Sequence, residues 1–202
     1  PIEYVFEDDQ SRISQREIGL DTVSFHTALK YVLRQDPDVI MIGEMRDAES
    51  FAAALSASET GHLVLTTLHT DTASQTMSRI LNFFPYAERD QVRMSLATNM
   101  KAVICQRLVP ATRSGIVPAT EIMINTPTVR NLIEKNTLEI LGAAIETGTE
   151  DGMQTFNQSI YKLIKAGVIT EEEGMSRAGN PEQLRMNLKG IFLDEARRIL
   201  AT

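Results

Sequence analysis

Asp36-Pro37-Asp38-Val39-Ile40-Met41-Ile42-Gly43-Glu44-Met45-Arg46-Asp47, followed by a small-residue segment and then Gly61-His62-Leu63-Val64-Leu65-Thr66-Thr67-Leu68-His69, decides the fold of this 202-residue chain. Val39 to Ile42 is an apolar, β-branched run bounded by Pro37 and Gly43, the pattern of a parallel strand buried on both faces. Leu63 to Leu68 repeats that pattern. Between them Ala48 to Thr60 is rich in Ala and Ser, a helix that another backbone can approach closely, with Gly61 placed as its C-terminal cap. Strand, helix and strand form a βαβ unit with a right-handed crossover. Glu44 stands at the C-terminal tip of the first strand and His69 at that of the second, the end of a parallel sheet where ligands bind.

Composition sets the outer bounds. The chain is 43% hydrophobic and 23% charged, ordinary globular material with enough residues for one real core and a helical appendage. A net charge of -7 argues against a nucleic-acid partner, because phosphate binding relies on clustered Lys and Arg. The single cysteine, Cys105, excludes an intramolecular disulfide and a four-cysteine zinc site, and its apolar neighbours mark it as a buried thiol suited to a reducing cytoplasm. No apolar run reaches the roughly 20 residues that a membrane-spanning helix needs. A chain that opens on Pro1 and enters apparent structure at once is expected to be a piece of a longer one.

Working outward from the βαβ unit, Pro1 to Phe6 and Arg12 to Ile18 are expected to pair as an edge hairpin across the polar turn from Glu7 to Ser11. Ser24 is placed to cap a helix from Phe25 to Arg34. Downstream, Ala73 to Phe84 carries a buried stripe of Met77, Ile80, Leu81 and Phe84, and a further helix runs from Ala87 to about Met100. Val103 to Val109 and Ile116 to Ile124 then form an antiparallel hairpin. Beyond Ile124 the pattern is helical: Thr126 caps a helix with Pro127 at its first position, Leu138 to Ile145 and Phe156 to Lys165 follow, Thr170 with Glu173 offers a capping box, and Asn180-Pro181 starts another helix. Ile191 to Leu200 reads as an amphipathic tail. The expected class is α/β, with residues 1–125 as a mostly parallel sheet with an antiparallel addition and 126–202 as a small helical subdomain.

Three groups would converge if the strands are neighbours: Glu3, Glu44 and His69, a plausible cluster for activating water beside a metal-bound phosphate. His62 and His69 bracket one strand at an odd separation, which directs them to opposite faces and away from one shared metal. A satisfied structural histidine is the simpler reading of His62, and His26 reads as inert. No Gly-x-x-x-x-Gly-Lys-Ser/Thr occurs in the sequence, so these residues by themselves are expected to bind ATP poorly and to be inactive alone.

The run from Asp36 to Asp47, then Glu59-Thr60-Gly61-His62-Leu63 and Thr67-Leu68-His69-Thr70, resembles the Walker B and His boxes of the type II/type IV secretion ATPases. Pro1-Ile2-Glu3-Tyr4 resembles the end of that family's Asp box, and Gln15-Arg16-Glu17-Ile18-Gly19 also matches. Thr128 to Ile133 and Gly152 to Thr155 resemble the C-terminal helices of its pilus-retraction branch, the PilT and PilU groups. Glu134 and Lys135 depart from that branch's charge pattern. The resemblance implies a RecA-like P-loop ATPase core and a homo-hexameric motor that uses ATP and Mg²⁺. In it Glu3 corresponds to the catalytic glutamate, Glu44 to the Walker B acid that holds Mg²⁺ through its water shell, and His62 and His69 to groups near the γ-phosphate. It further implies work at the cytoplasmic face of the inner membrane, on the platform of the type IV pilus and beside a paralogous retraction ATPase. A pilus-extension or secretion motor of the same superfamily, and a non-catalytic ring subunit, remain open beside retraction.

Overall fold

A computed structural model describes residues 2–192. The chain divides into two compact units, Pro1–Leu68 and His69–Thr202. The amphipathic tail expected over 191–200 lies, from residue 193 onward, outside the described residues, as does Pro1.

In the first unit, α1 (Phe25–Val32) begins at Ser24, whose hydroxyl accepts from the Thr27 amide as its sequence position requires. A left-handed Asp36 (φ 54°) then turns the chain into β1 (Val39–Ile42). After α2 (Ala48–Glu59) comes β2 (Leu63–Thr66), parallel to β1 in the register Val39↔Leu63 to Ile42↔Thr66. The end of α2 is a Schellman motif: Gly61 takes φ 97°, its amide donates to Ser58 O, and the His62 amide reaches back to Ala57 O. Gly is the residue that adopts this backbone without a Cβ clash. Packing of α2 on α1 and on β2 buries Leu29, Ile40, Ile42, Phe51, Ala54 and Ala57.

Two expectations are corrected here. The β1 strand is covered on one face, not both: Ile40 and Ile42 are buried, while Met41 is 67% exposed and Val39 51%. A two-stranded sheet backed by one layer of helix has a single inner face, and alternation sends every second side chain the other way. The N-terminal hairpin also lacks its backbone ladder among the described residues. The two segments do run side by side, but side chains make the rungs. Gln15 accepts from the Phe6 amide at 2.8 Å and donates to Tyr4 O at 2.8 Å, Asp8 accepts from the Ile13 amide at 2.7 Å, and Glu17 accepts from the Ile2 amide at 3.4 Å.

The second unit is built on a long antiparallel hairpin, preceded by α3 (Ala73–Asn82) and α4 (Arg89–Asn99). The hairpin pairs β3 (Ala102–Pro110) with β4 (Ile116–Ile124), from Ala102↔Ile124 to Pro110↔Ile116. Among the described residues five α-helices follow: α5 (Pro127–Glu134), α6 (Leu141–Thr147), α7 (Phe156–Lys165), α8 (Glu171–Arg177) and α9 (Pro181–Leu188). Inward-facing Cys105, Val109 and Ala119 of the hairpin pack with Phe156 and Ile160 of α7, with Ile169 before α8 and with Leu184 of α9. The expected stripe of α3 is buried throughout, Met77 completely. The reciprocal capping box forms at Thr155 and Gln158, while at Thr170 the hydroxyl accepts from the Glu173 amide. Gly174 lets α8 settle on α7, since a Cβ there would stand 2.5 Å from Ile164 Cδ1.

Candidate functional site

The tip of the parallel pair is tied down locally. Past Ile42 the chain turns at Gly43, whose carbonyl accepts from the Thr67 hydroxyl, and the Met45 amide donates to Thr67 O at 3.3 Å. Met45 is buried beneath this turn. Asp47 then caps α2, accepting from the Ser50 amide at 2.7 Å. Glu44 is thereby held between a strand end and a helix start, with its side chain 28% exposed. Arg46 donates to Glu44 Oε2 from Nε at 2.8 Å and from a terminal nitrogen at 2.6 Å. That hydrogen bond, with the carboxylate's charge, pushes the guanidinium above its usual range. Neither Arg46 nor Asp47 was assigned a role from the sequence. The signal was available for Asp47, which precedes an Ala-rich helix in N-cap position.

The other sequence-selected groups of this unit lie apart in chemistry. Glu3 is exposed in the side-chain-bridged N-terminal segment. His62 turns back on the cap of α2, with Nδ1 at 3.1 Å from both Thr60 Oγ1 and Ala57 O. His26 pairs with Glu49 across two exposed side chains at 3.1 Å. A cleft of about 540 Å³ in the same unit is lined by Arg16, Asp21, Tyr31 and Arg34 and includes neither Glu3 nor Glu44.

His69 belongs to the second unit, exposed at the start of a segment fastened along its length. The Thr70 hydroxyl lies 2.7 Å from that of Thr76, the Asp71 amide donates to Gln75 Oε1, and Thr72 caps α3 through the Gln75 amide. Behind it stands a group that sequence reasoning missed. Glu121 of β4 is 8% exposed, and its carboxylate accepts from the Ala73 amide at the first residue of α3, at 2.9 Å. Burial raises its pKa, opposed by the amides of Ala73 and Phe156 and by Arg107. The signal lay in the alternation of β4, where a carboxylate occupies the inward phase between Ala119 and Met123. Arg93 was also missed: only 12% exposed, it donates to Ile133 O at 3.0 Å and to Glu134 O, a cation on the carbonyl end of α5.

Among the described residues no group of three or more His, Cys, Asp or Glu could hold a metal ion, and no helix is long and apolar enough to cross a membrane. Glu44 offers one partly buried carboxylate. That donor set fits a Mg²⁺ ion bound chiefly by water and phosphate oxygens, because Mg²⁺ in nucleotide sites takes one or two carboxylates and keeps several waters.

Comparison with known proteins adds the wider frame. A family model described as type II/IV secretion system protein matches residues 1–116. The type IV pilus ATPase PilU of Pseudomonas aeruginosa is 44% identical over 190 residues, covering 94% of this chain and 50% of its own. The retraction ATPase PilT of the same organism is 43% identical over 182 residues, covering 90% and 53%. A crystal structure of the pilus retraction motor PilT with bound ADP superposes with a TM-score of 0.80 at 46% identity, covering 92% of this chain and 52% of that one. The chain spans about half the length of the curated relatives it matches.

Proposed function

The chain belongs to the type II/IV secretion system protein family, and from that premise we propose that it is part of a hexameric ATP-hydrolysing motor that drives type IV pilus retraction. One observation carries the reading: Glu44 stands at the C-terminal tip of a parallel strand, on a turn clamped by Thr67 and by the cap of α2. A similar protein binds ADP, and its likeness extends through the helices beyond residue 126. Retraction, rather than extension or secretion, is favoured by a relative that matches nine-tenths of this chain and is named a retraction ATPase, and by the solved retraction motor that covers 92% of it.

In this reading Glu44 would hold the water shell of the Mg²⁺ that accompanies ATP, a group that would supply neutralisation of phosphate charge. Arg46 holds the carboxylate aimed through two hydrogen bonds to Oε2. Glu3 orients or deprotonates the attacking water. His69 contacts the terminal phosphate, and His62, bonded on the cap of α2, orders the strand that leads to it. The RecA-like part covers residues 1–125, and residues 126–202 meet the pilus platform, neighbouring subunits or a paralogous motor at the cytoplasmic face of the inner membrane.

The test is Glu44→Gln in the full-length protein. Hydrolysis is expected to be lost while ATP affinity stays within about twofold, since the isosteric amide keeps the packing and removes the charge. Undiminished turnover overturns the assignment.

A further inference from the structure

The hairpin of the second unit grips the start of α7 closely. Gln154 and Ile122 exchange backbone hydrogen bonds of 3.1 and 2.8 Å, Gln154 Nε2 donates to the Thr120 hydroxyl at 2.8 Å, and Ser159 Oγ accepts from the Thr120 amide at 3.1 Å. Glu121 lies between these two gripping residues with its side chain turned inward. There it accepts from the Ala73 amide, the first N–H of α3, at 2.9 Å. Arg107 stacks over the Phe156 ring at 4.0 Å and donates to Arg177 O, closing the cluster on the side of α8. From Ala73 the path continues through Thr76, whose hydroxyl donates to Thr72 O at 2.9 Å and meets that of Thr70 at 2.7 Å, next to His69.

We infer that Glu121 is a positioning residue: its carboxylate pins the N-terminus of α3 to the strand whose adjacent residues, Thr120 and Ile122, hold the start of α7, so that movement of the C-terminal helices is transmitted to the His69–Thr72 segment. A helix N-terminus presents partial positive charge and unpaired N–H groups, and a carboxylate suits both. A carboxamide has only one acceptor oxygen and carries no charge to set against that terminus. An apolar side chain leaves the buried Ala73 N–H without a partner, which is costly. A residue needed only to fill the core at this inward position would be apolar, like its neighbours Ala119 and Met123. The proposal deepens the motor reading and rests on it for its catalytic consequence: the pin sets how accurately His69 meets a phosphate.

The experiment compares Glu121→Gln with Thr170→Ala in the full-length protein, the latter a helix-cap loss on α8 that leaves the Glu121–Ala73 bond in place. Glu121→Gln is expected to lower kcat about tenfold with ATP Kd within about twofold, the signature of misplacement rather than lost binding. Amide hydrogen exchange over residues 70–76 should accelerate about tenfold while the β3–β4 peptides stay as in wild type. Thr170→Ala should leave both readouts unchanged. A Glu121→Gln protein with wild-type kcat, or with losses no larger than those of Thr170→Ala, overturns the assignment. If the wild-type protein hydrolyses no ATP, the motor reading itself falls. The exchange comparison then decides the pin alone, and unchanged exchange over 70–76 overturns it.

Discussion

The two strand pairs of this protein are written in similar residues and buried very differently. The β1–β2 pair has four residues on each strand and apolar side chains in both phases, yet only Ile40 and Ile42 are fully buried. The β3–β4 pair runs nine residues on each strand, with Cys105, Val109, Ala119 and Met123 closed under helices. Apolar sequence states a demand for cover, and local structure meets it only as far as there are layers to supply it. The difference also separates two of the candidate groups from the bulk of the packing. Glu3 and Glu44 lie in the unit with thin cover, where short strands and side-chain rungs are the first elements to open locally.

The largest expected effect tests that contrast directly. Ile160, fully buried between the hairpin and α9, should cost about 3–4 kcal/mol when replaced by Ala, through lost transfer energy and an unfilled cavity. Met41→Ala, at a side chain 67% exposed, should cost well under about 1 kcal/mol. Urea denaturation of both variants gives the two values. Equal losses would break the comparison, because they would mean that the outer face of β1 is covered in solution. Next in size is Gly174→Ala, whose Cβ would sit 2.5 Å from Ile164 Cδ1. Moving that side chain should cost about 1–3 kcal/mol, an overpacking penalty confined to the second unit and readable in the same titration.

Smaller still are the helix caps, which sharpen the comparison by treating both units alike. Asp47→Ala removes the acceptor of the Ser50 amide at the start of α2, and Thr155→Ala removes half of a capping box at the start of α7. Each should cost about 1 kcal/mol in thermal or chemical unfolding. A markedly greater loss of ATP turnover from Asp47→Ala would show that the turn carrying Glu44 depends on its helix.

Caps and periodicity are the features that sequence reads best, and here they place nearly every helix. Ser24, Thr126, Thr170 and Asn180 each accept an amide from their own helix, and Gly61 ends α2. These are interactions over three or four residues, so their partners are on the page beside them. What escaped were contacts between residues far apart in the chain. The N-terminal segments align as expected, but the donors and acceptors are Gln15, Asp8 and Glu17 side chains, which a strand pattern does not encode. Burial of β1 was overread because an apolar run says that cover suits it, not that cover is present. For the site, the position of Glu44 was legible, since a strand followed by Gly and a carboxylate is a local pattern. The Glu121–Ala73 bond spans 48 residues and was not. Its trace was a single charged residue in the inward phase of an otherwise apolar face.

Glu121 supplies the last and smallest effect, and one whose sign can be worked out. Desolvation raises its pKa in the folded protein, outweighing the amides of Ala73 and Phe156 and the charge of Arg107. The neighbours that face it are Arg107 and, across the ladder, Cys105, whose thiol burial keeps protonated. A group whose folded pKa lies above its unfolded value, about 4.3 for Glu, stabilises the fold fully below that unfolded value. That contribution is lost as pH rises through the folded pKa. Glutamine does not titrate, so the Tm of wild type minus that of Glu121→Gln should fall as pH is raised from about 4 and level off once the buried carboxyl has ionised. Subtracting the variant cancels the other carboxylates, which titrate in both proteins. A difference that instead grows with pH would mean that the amides and Arg107 outweigh burial, making the ionised carboxylate a net stabiliser of the hairpin unit. The two slopes have opposite signs, so melting curves at three pH values between about 4 and 8 separate them.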